Sequence, residues 1–148
     1  MWQGIRNISS TIKVFDSEID DAENALYSDA NGSIFNISGS LFNRNYISVS
    51  LLNNNFSSST FENSTFICNS NLKTPHPFSS DLTWSQFYVE NATVIINGGT
   101  SLNFLRHSNN GIYATGNSIV YADNLNIDNL TWKSIGNIMA GINATNQC

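Results

Sequence analysis

Residues 33–52 read SIFNISGSLFNRNYISVSLL. Two short alternating runs, Phe35 to Ile37 and Tyr46 to Leu52, flank a Gly39-Ser40 turn and an Asn-rich corner. Alternation with period two argues a strand with one face buried. The preceding stretch, Thr11 to Tyr27, has the same layout. A shift of 23 residues lays Ile12, Val14, Ser17, Ile19 and Leu26 on Phe35, Ile37, Ser40, Phe42 and Val49. Each coil then reads apolar-x-apolar, a turn, Ser-x-apolar, a polar corner and a second apolar strand. Repetition at this scale is the signature of a solenoid.

Working outward, the next coil runs from Phe56 to Leu72, with Phe61 and Phe66 inward. Residues 73–82 carry Pro75 and Pro77 and no alternation, which predicts a loop inserted at a corner. The pattern resumes at Ser85 and continues through Ile96, and Asn97-Gly98-Gly99 is a turn. Asn110-Gly-Ile-Tyr-Ala-Thr returns 30 residues later as Ala140-Gly-Ile-Asn-Ala-Thr, and Trp2-Gln-Gly-Ile5 repeats the Gly-Ile pair. Leu125 and Ile127 are spaced like Ile12 and Val14. A strand of this length cannot bury its own apolar face. Stacking coil on coil turns inward residues into ladders about 4.8 Å apart. The fold predicted is all-β, a parallel β-helix of five to six coils, forming one domain over residues 1–148. A β-sandwich or jelly roll is the weaker alternative, because the spacing is nearly constant and hairpin turn pairs are scarce.

Composition agrees. Charged residues make up 11% and apolar residues 41%, so the chain has material for a core and polar bulk of another kind, 24 Asn and 21 Ser. Asn tolerates left-handed backbone and bonds nearby amides, which suits corners. The net charge is −5 and the six cations are scattered, which disfavours nucleic acid as a partner. No apolar run is long enough to span a membrane. The start, MWQGIRNISS, lacks the layout of a signal peptide. Neither terminus looks like a solenoid cap, so the chain is expected to be a fragment of a longer protein. Cys68 and Cys148 are expected to be unpaired thiols.

The segments Trp-Gln-Gly-Ile at 2–5, Ser-Glu-Ile-Asp-Asp-Ala-Glu-Asn-Ala-Leu at 17–26 and Ser-Leu-Phe-Asn-Arg-Asn-Tyr-Ile at 40–47 resemble right-handed, pectate-lyase-like parallel β-helix repeats of large secreted or surface proteins of Bacteroidetes. The resemblance implies a right-handed coil and a secreted or cell-surface location. It does not fix a function.

Candidate sites follow from residue type. Glu18 and Asp20 point the same way in a strand and form a candidate Ca²⁺ pair. The resemblance implies that a lyase would add Arg44 or Lys13 as base. The competing reading is an outer face with Arg44 paired to Asp21. Trp84, Phe87 and Tyr88, with Trp132, form a candidate sugar-stacking platform. Arg106 and His107 are a candidate polar pair for a ligand, and His76 lies between the two prolines. No nucleophile elbow or metal-ligand spacing occurs, so no catalytic residue is assigned. Eight Asn-x-Ser/Thr sequons are present, at Asn7, Asn31, Asn36, Asn55, Asn63, Asn91, Asn129 and Asn143. A chain this rich in Asn, Ser and Thr produces many by chance.

The function expected is a non-catalytic module: adhesin, carbohydrate-binding stalk or structural spacer. The alternative is a β-helix polysaccharide lyase or glycoside hydrolase acting on acidic glycans. Expected partners are a polysaccharide or cell-surface glycan, and a second copy stacked end to end.

Overall fold

A computed structural model describes residues 1–73, 82–98, 103–128, 130 and 140–145. The first tier holds β1 (Ile5–Asn7), β2 (Thr11–Phe15) and β3 (Glu18–Asp20). The second holds β4 (Asn24–Ser28), β5 (Ile34–Ser38) and β6 (Leu41–Asn43). In the third, β7 (Ile47–Glu62) turns a corner within its own length and is followed by β8 (Thr65–Ile67). In the fourth, β9 (Thr83–Asn97) turns likewise at Asn91 and β10 (Asn103–Arg106) follows. Then come β11 (Ser108–Thr115), β12 (Ile119–Asp123), β13 (Leu125–Asp128) and β14 (Ala140–Thr145).

Every strand pairing is parallel, and each strand pairs with its counterpart one tier away. The chain is thus an all-β solenoid with three faces. The first face stacks β1, β4, the start of β7, the start of β9, β11 and β14. The second stacks β2, β5, the ends of β7 and β9, and β12. The third stacks β3, β6, β8, β10 and β13. Four full turns separate β1 from β11, and β12 to β14 carry the winding on. The described winding lies nearer the lower end of the five to six coils expected.

One apolar ladder fills each face. The first runs Ile5, Leu26, Val49, Phe87, Ile112 in register, and the Ile142 backbone pairs with that of Ile112. The second runs Val14, Ile37, Phe61, Ile96, Ala122. The third runs Ile19, Phe42, Phe66, Leu105, Ile127. Where ladders meet, phenylalanines interlock: Phe66 stacks on Phe42 at 4.7 Å and leans on Phe87 at 4.7 Å, and Phe61 meets Phe87 edge-on at 5.0 Å. The 23-residue register read from the sequence is the one observed for Ile12 on Phe35, Ile19 on Phe42 and Leu26 on Val49. The 30-residue echo is the pairing of β11 with β14. Leu125 and Ile127 are the exception: they belong to the third face, not to the Ile12–Val14 face, whose place in that tier β12 takes. An apolar-x-apolar run fits either face. The turns around it decide.

Asparagine works at the corners in two ways. Asn63 and Asn124 take positive φ at the second corner, in line with Asp16 and Gly39, and Asn53 and Asn91 do so at the first. Others are buried and clamp the tier before them. Asn45 accepts from Ala22 N at 2.8 Å and donates to Ile19 O at 2.9 Å. Asn103 accepts from Ser64 N at 2.7 Å and donates to Phe61 O. Asn54 takes Gly32 N and gives to Ser33 O in the same manner. Each such amide replaces a backbone pair that a corner interrupts. Asn7 is also buried, donating to Ser10 O and Ile34 O, so that sequon presents no free amide, whereas Asn31 is exposed.

β8 ends at Ile67 and β9 begins at Thr83, where the preceding tier passes from Asn43 to Ile47. Of the loop expected at 73–82, residues 74–81, His76 among them, lie outside the described residues. Cys68 is a free, buried thiol donating to Ser70 O, and Cys148 lies outside the described residues.

Candidate functional site: an outward aromatic cluster

Alternation along β9 sends Ser85, Phe87 and Val89 inward and Trp84, Tyr88 and Glu90 outward. The ladder then sets Tyr88 between Ser50 below and Tyr113 above, and Glu90 between Leu52 and Thr115. Four aromatic side chains gather on this first face. The Tyr88 and Tyr113 rings stack at 5.5 Å, nearly parallel at 15°. Trp84 leans across both, 5.6 Å from Tyr88 and 5.3 Å from Tyr113, tilted by 47° and 42°. Tyr46 adjoins Trp84 at 6.4 Å. All four are half-buried, so each keeps part of its surface in water.

The polar groups are placed by the same register. Tyr88 Oη donates to Glu90 Oε2 at 2.7 Å. Burial, then that hydrogen bond to the carboxylate, pushes the Tyr88 phenol up to about 12. The phenol is therefore a fixed neutral donor. Gln86, between Trp84 and Tyr88 and of the same strand parity, is buried, accepting from Ser48 Oγ at 2.6 Å and donating to Arg106 O at 2.9 Å.

Of the residues expected in a sugar platform, Trp84 and Tyr88 come together and Phe87 does not. Phe87 is a member of the first apolar ladder with no exposed surface, because its strand parity is opposite to that of its aromatic neighbours. Trp132 lies outside the described residues. Tyr46, Tyr113 and Glu90 are additions. Tyr113 could have been found by laying Phe87-Tyr88 on Ile112-Tyr113, a step of 25 residues.

Arg106 and His107 fall elsewhere. Arg106 sits on the third face, where its Nε meets Asp128 of the next tier at 2.8 Å. His107 follows at the third corner with φ 51°, a corner shared with Asp21 and Arg44. Neither is part of the aromatic cluster.

Glu18 and Asp20 share the outer side of β3, flanking buried Ile19. Arg44 closes over Asp20 and Asp21: Nη2 meets Asp20 Oδ2 at 2.9 Å and Nε meets Asp21 Oδ1 at 2.8 Å, while Lys73 Nζ reaches Asp21 Oδ2 at 2.6 Å. The Arg44–Asp21 pair anticipated from the repeat is thus present, and it is largely buried rather than fully solvated. The two aspartates respond oppositely. Burial, reinforced by Glu18, raises Asp20, whereas the hydrogen bond from Arg44 lowers Asp21. Lys13 lies on β2, on the second face, and does not join Glu18, Asp20 and Arg44. No group of three or more metal-ligating side chains occurs among the described residues.

The geometry defines the class, a parallel β-solenoid with an aromatic cluster on the outer side of its first face. No family model, curated protein or solved structure was found to match the chain. Among the described residues no helix is long and apolar enough to cross a membrane.

Proposed function

We propose that this chain is a non-catalytic β-solenoid module of a secreted or cell-surface protein that binds carbohydrate through its first face. The observation that carries the reading is the convergence of Trp84, Tyr88 and Tyr113 on outward positions of adjacent strands. Rings with apolar faces and polar tips suit a sugar's mixed C–H and O–H surface. Holding them in place before binding lowers the ordering cost. A right-handed, pectate-lyase-like coil in a large surface protein of Bacteroidetes is the setting this reading adopts, supported by the repeat pattern at 2–5, 17–26 and 40–47.

End-to-end self-association belongs to the same proposal. The first tier leaves Ile8 exposed, and the inward-facing Ile5, Ile12 and Val14 only partly covered. A sedimentation profile unchanged over concentration would reject it. The enzymatic alternative, a lyase or hydrolase of acidic glycans, draws on Glu18 and Asp20 beside Arg44.

The test is a panel of immobilised neutral and uronate polysaccharides, with and without Ca²⁺, following both retention and chain length. Retention without shortening, lost in Trp84→Ala, supports the binding module. Ca²⁺-dependent shortening would overturn it and point to Glu18 and Asp20. Neither outcome in any lane would leave the spacer role.

A further inference from the structure

Resting on that carbohydrate reading, we infer that the glycan taken by the aromatic face is uncharged, stacked on Trp84 and Tyr113 and donating hydroxyl hydrogens to Glu90.

The argument is one of charge placement. The outward neighbours of Tyr88 and Glu90 on the adjoining tiers are Ser50, Leu52, Tyr113 and Thr115, none of them cationic. The described cations are committed or distant. Arg6 pairs with Asp29, Arg44 with Asp20 and Asp21, Lys73 with Asp21, and Arg106 with Asp128. Lys13 lies on the second face. A uronate chain laid on the rings would bring a carboxylate toward Glu90 with no described cation beside it. The chain's net charge of −5 would also repel a polyanion at longer range. An uncharged sugar meets no such opposition. Its hydroxyls find an acceptor in Glu90, whose carboxylate has lone pairs beyond the one Tyr88 uses. A cationic sugar is less well served. The Glu90 carboxylate is already turned to Tyr88, and no second acid stands among the adjoining outward positions just named.

The experiment is calorimetric titration of the intact chain, at low and high salt, with uncharged hexasaccharides (cellohexaose, xylohexaose, mannohexaose), hexagalacturonate and a glucosamine hexamer. At least one uncharged sugar is expected to bind with an affinity that salt leaves unchanged. Trp84→Ala should abolish that binding. Tyr113→Ala should weaken it by about tenfold, the scale of one lost stacking contact. Glu90→Gln should weaken it several-fold with the circular dichroism spectrum unchanged. Trp84-dependent binding of hexagalacturonate or of the glucosamine hexamer tighter than any uncharged sugar would overturn the charge class and leave the aromatic site standing. Binding by none of the sugars would overturn both.

Discussion

Replacing Asn45 tests whether buried amides hold the tiers together. Its side chain has no exposed surface, and it serves two backbone groups of the tier beneath, Ala22 N and Ile19 O. Asn45→Ala leaves both unpaired. At about 1–3 kcal/mol for each orphaned buried group, the loss is roughly 2–6 kcal/mol, a large share of the stability of an ordinary domain. Asn45→Asp is more discriminating. Ionised, the new carboxylate can accept from Ala22 N, but it faces the Ile19 carbonyl with no proton to give. Protonated, it has the donor and acceptor pattern of the amide it replaces. Its folded pKa must therefore lie above the unfolded value of about 3.9. A raised folded pKa means that stability is present below the unfolded value and is lost as pH rises through the folded one. Urea unfolding of wild type, Asn45→Ala and Asn45→Asp at acidic and neutral pH would measure this, with Asn31→Asp as the exposed control. The expected pattern is an Asp variant close to wild type in acid and close to the Ala variant at neutrality. An Asn45→Ala variant within about 0.5 kcal/mol of wild type, the scatter of ordinary surface changes, would refute the clamp.

Two further outcomes follow from local geometry. Gly4 has φ 94°, and a Cβ there would lie 1.6 Å from Asn24 O, so Gly4→Ala should release β1 from β4; the expected sign is faster hydrogen exchange at Arg6 and Asn7 with β9 and β11 unaffected. Asp21 and Asp20 should show opposite pH dependence: the depressed Asp21 adds stability above pH 3.8 that fades as pH falls through its folded value, while the raised Asp20 costs stability as pH climbs from 3.8 through its folded value, so the penalty of Asp21→Asn should shrink in acid and Asp20→Asn should flatten the loss above 3.8.

How far the sequence reveals this molecule depends on which residues repeat. The second and third ladders were legible between the first two tiers because each carries like side chains at one step: Ile12 under Phe35, Val14 under Ile37, Ile19 under Phe42. Legibility falls where the step changes. From Val49 to Phe87 the chain passes through the lengthened connection, and no local motif says which aromatic residue lands over which. The pairing of Arg106 with Asp128 was hidden for the same reason, since it depends on the register between β10 and β13. Phe87 is a different kind of error. Grouping it with Trp84 and Tyr88 by composition set aside the period-two rule, which by itself separates residue 87 from 84 and 88.

The division of labour between amides and rings bears on where function can reside. In a chain with 11% charged residues, the clamps between tiers come from inward-turned Asn45, Asn54 and Asn103, and the core from the three apolar ladders. Outward positions lie outside the three apolar ladders, and beside the cluster they include the small polar residues Ser50 and Thr115. Against that background Trp84, Tyr88 and Tyr113 need a reason of their own. Cross-strand ring pairs do contribute roughly 0.2–1 kcal/mol each, so stacking between tiers explains part of it. The outward column runs Arg6, Tyr27, Ser50, Tyr88 and Tyr113, so a ring also stands two tiers below Tyr88, but there it meets Arg6 rather than other rings, and only from Tyr46 upward do aromatic side chains gather on neighbouring tiers. Glu90 holds the Tyr88 phenol as a fixed donor, as Asp29 does for Tyr27 two tiers below, so that bond is a recurrent local feature of the face. The gathering of the rings is the feature on which the proposed carbohydrate-binding role rests.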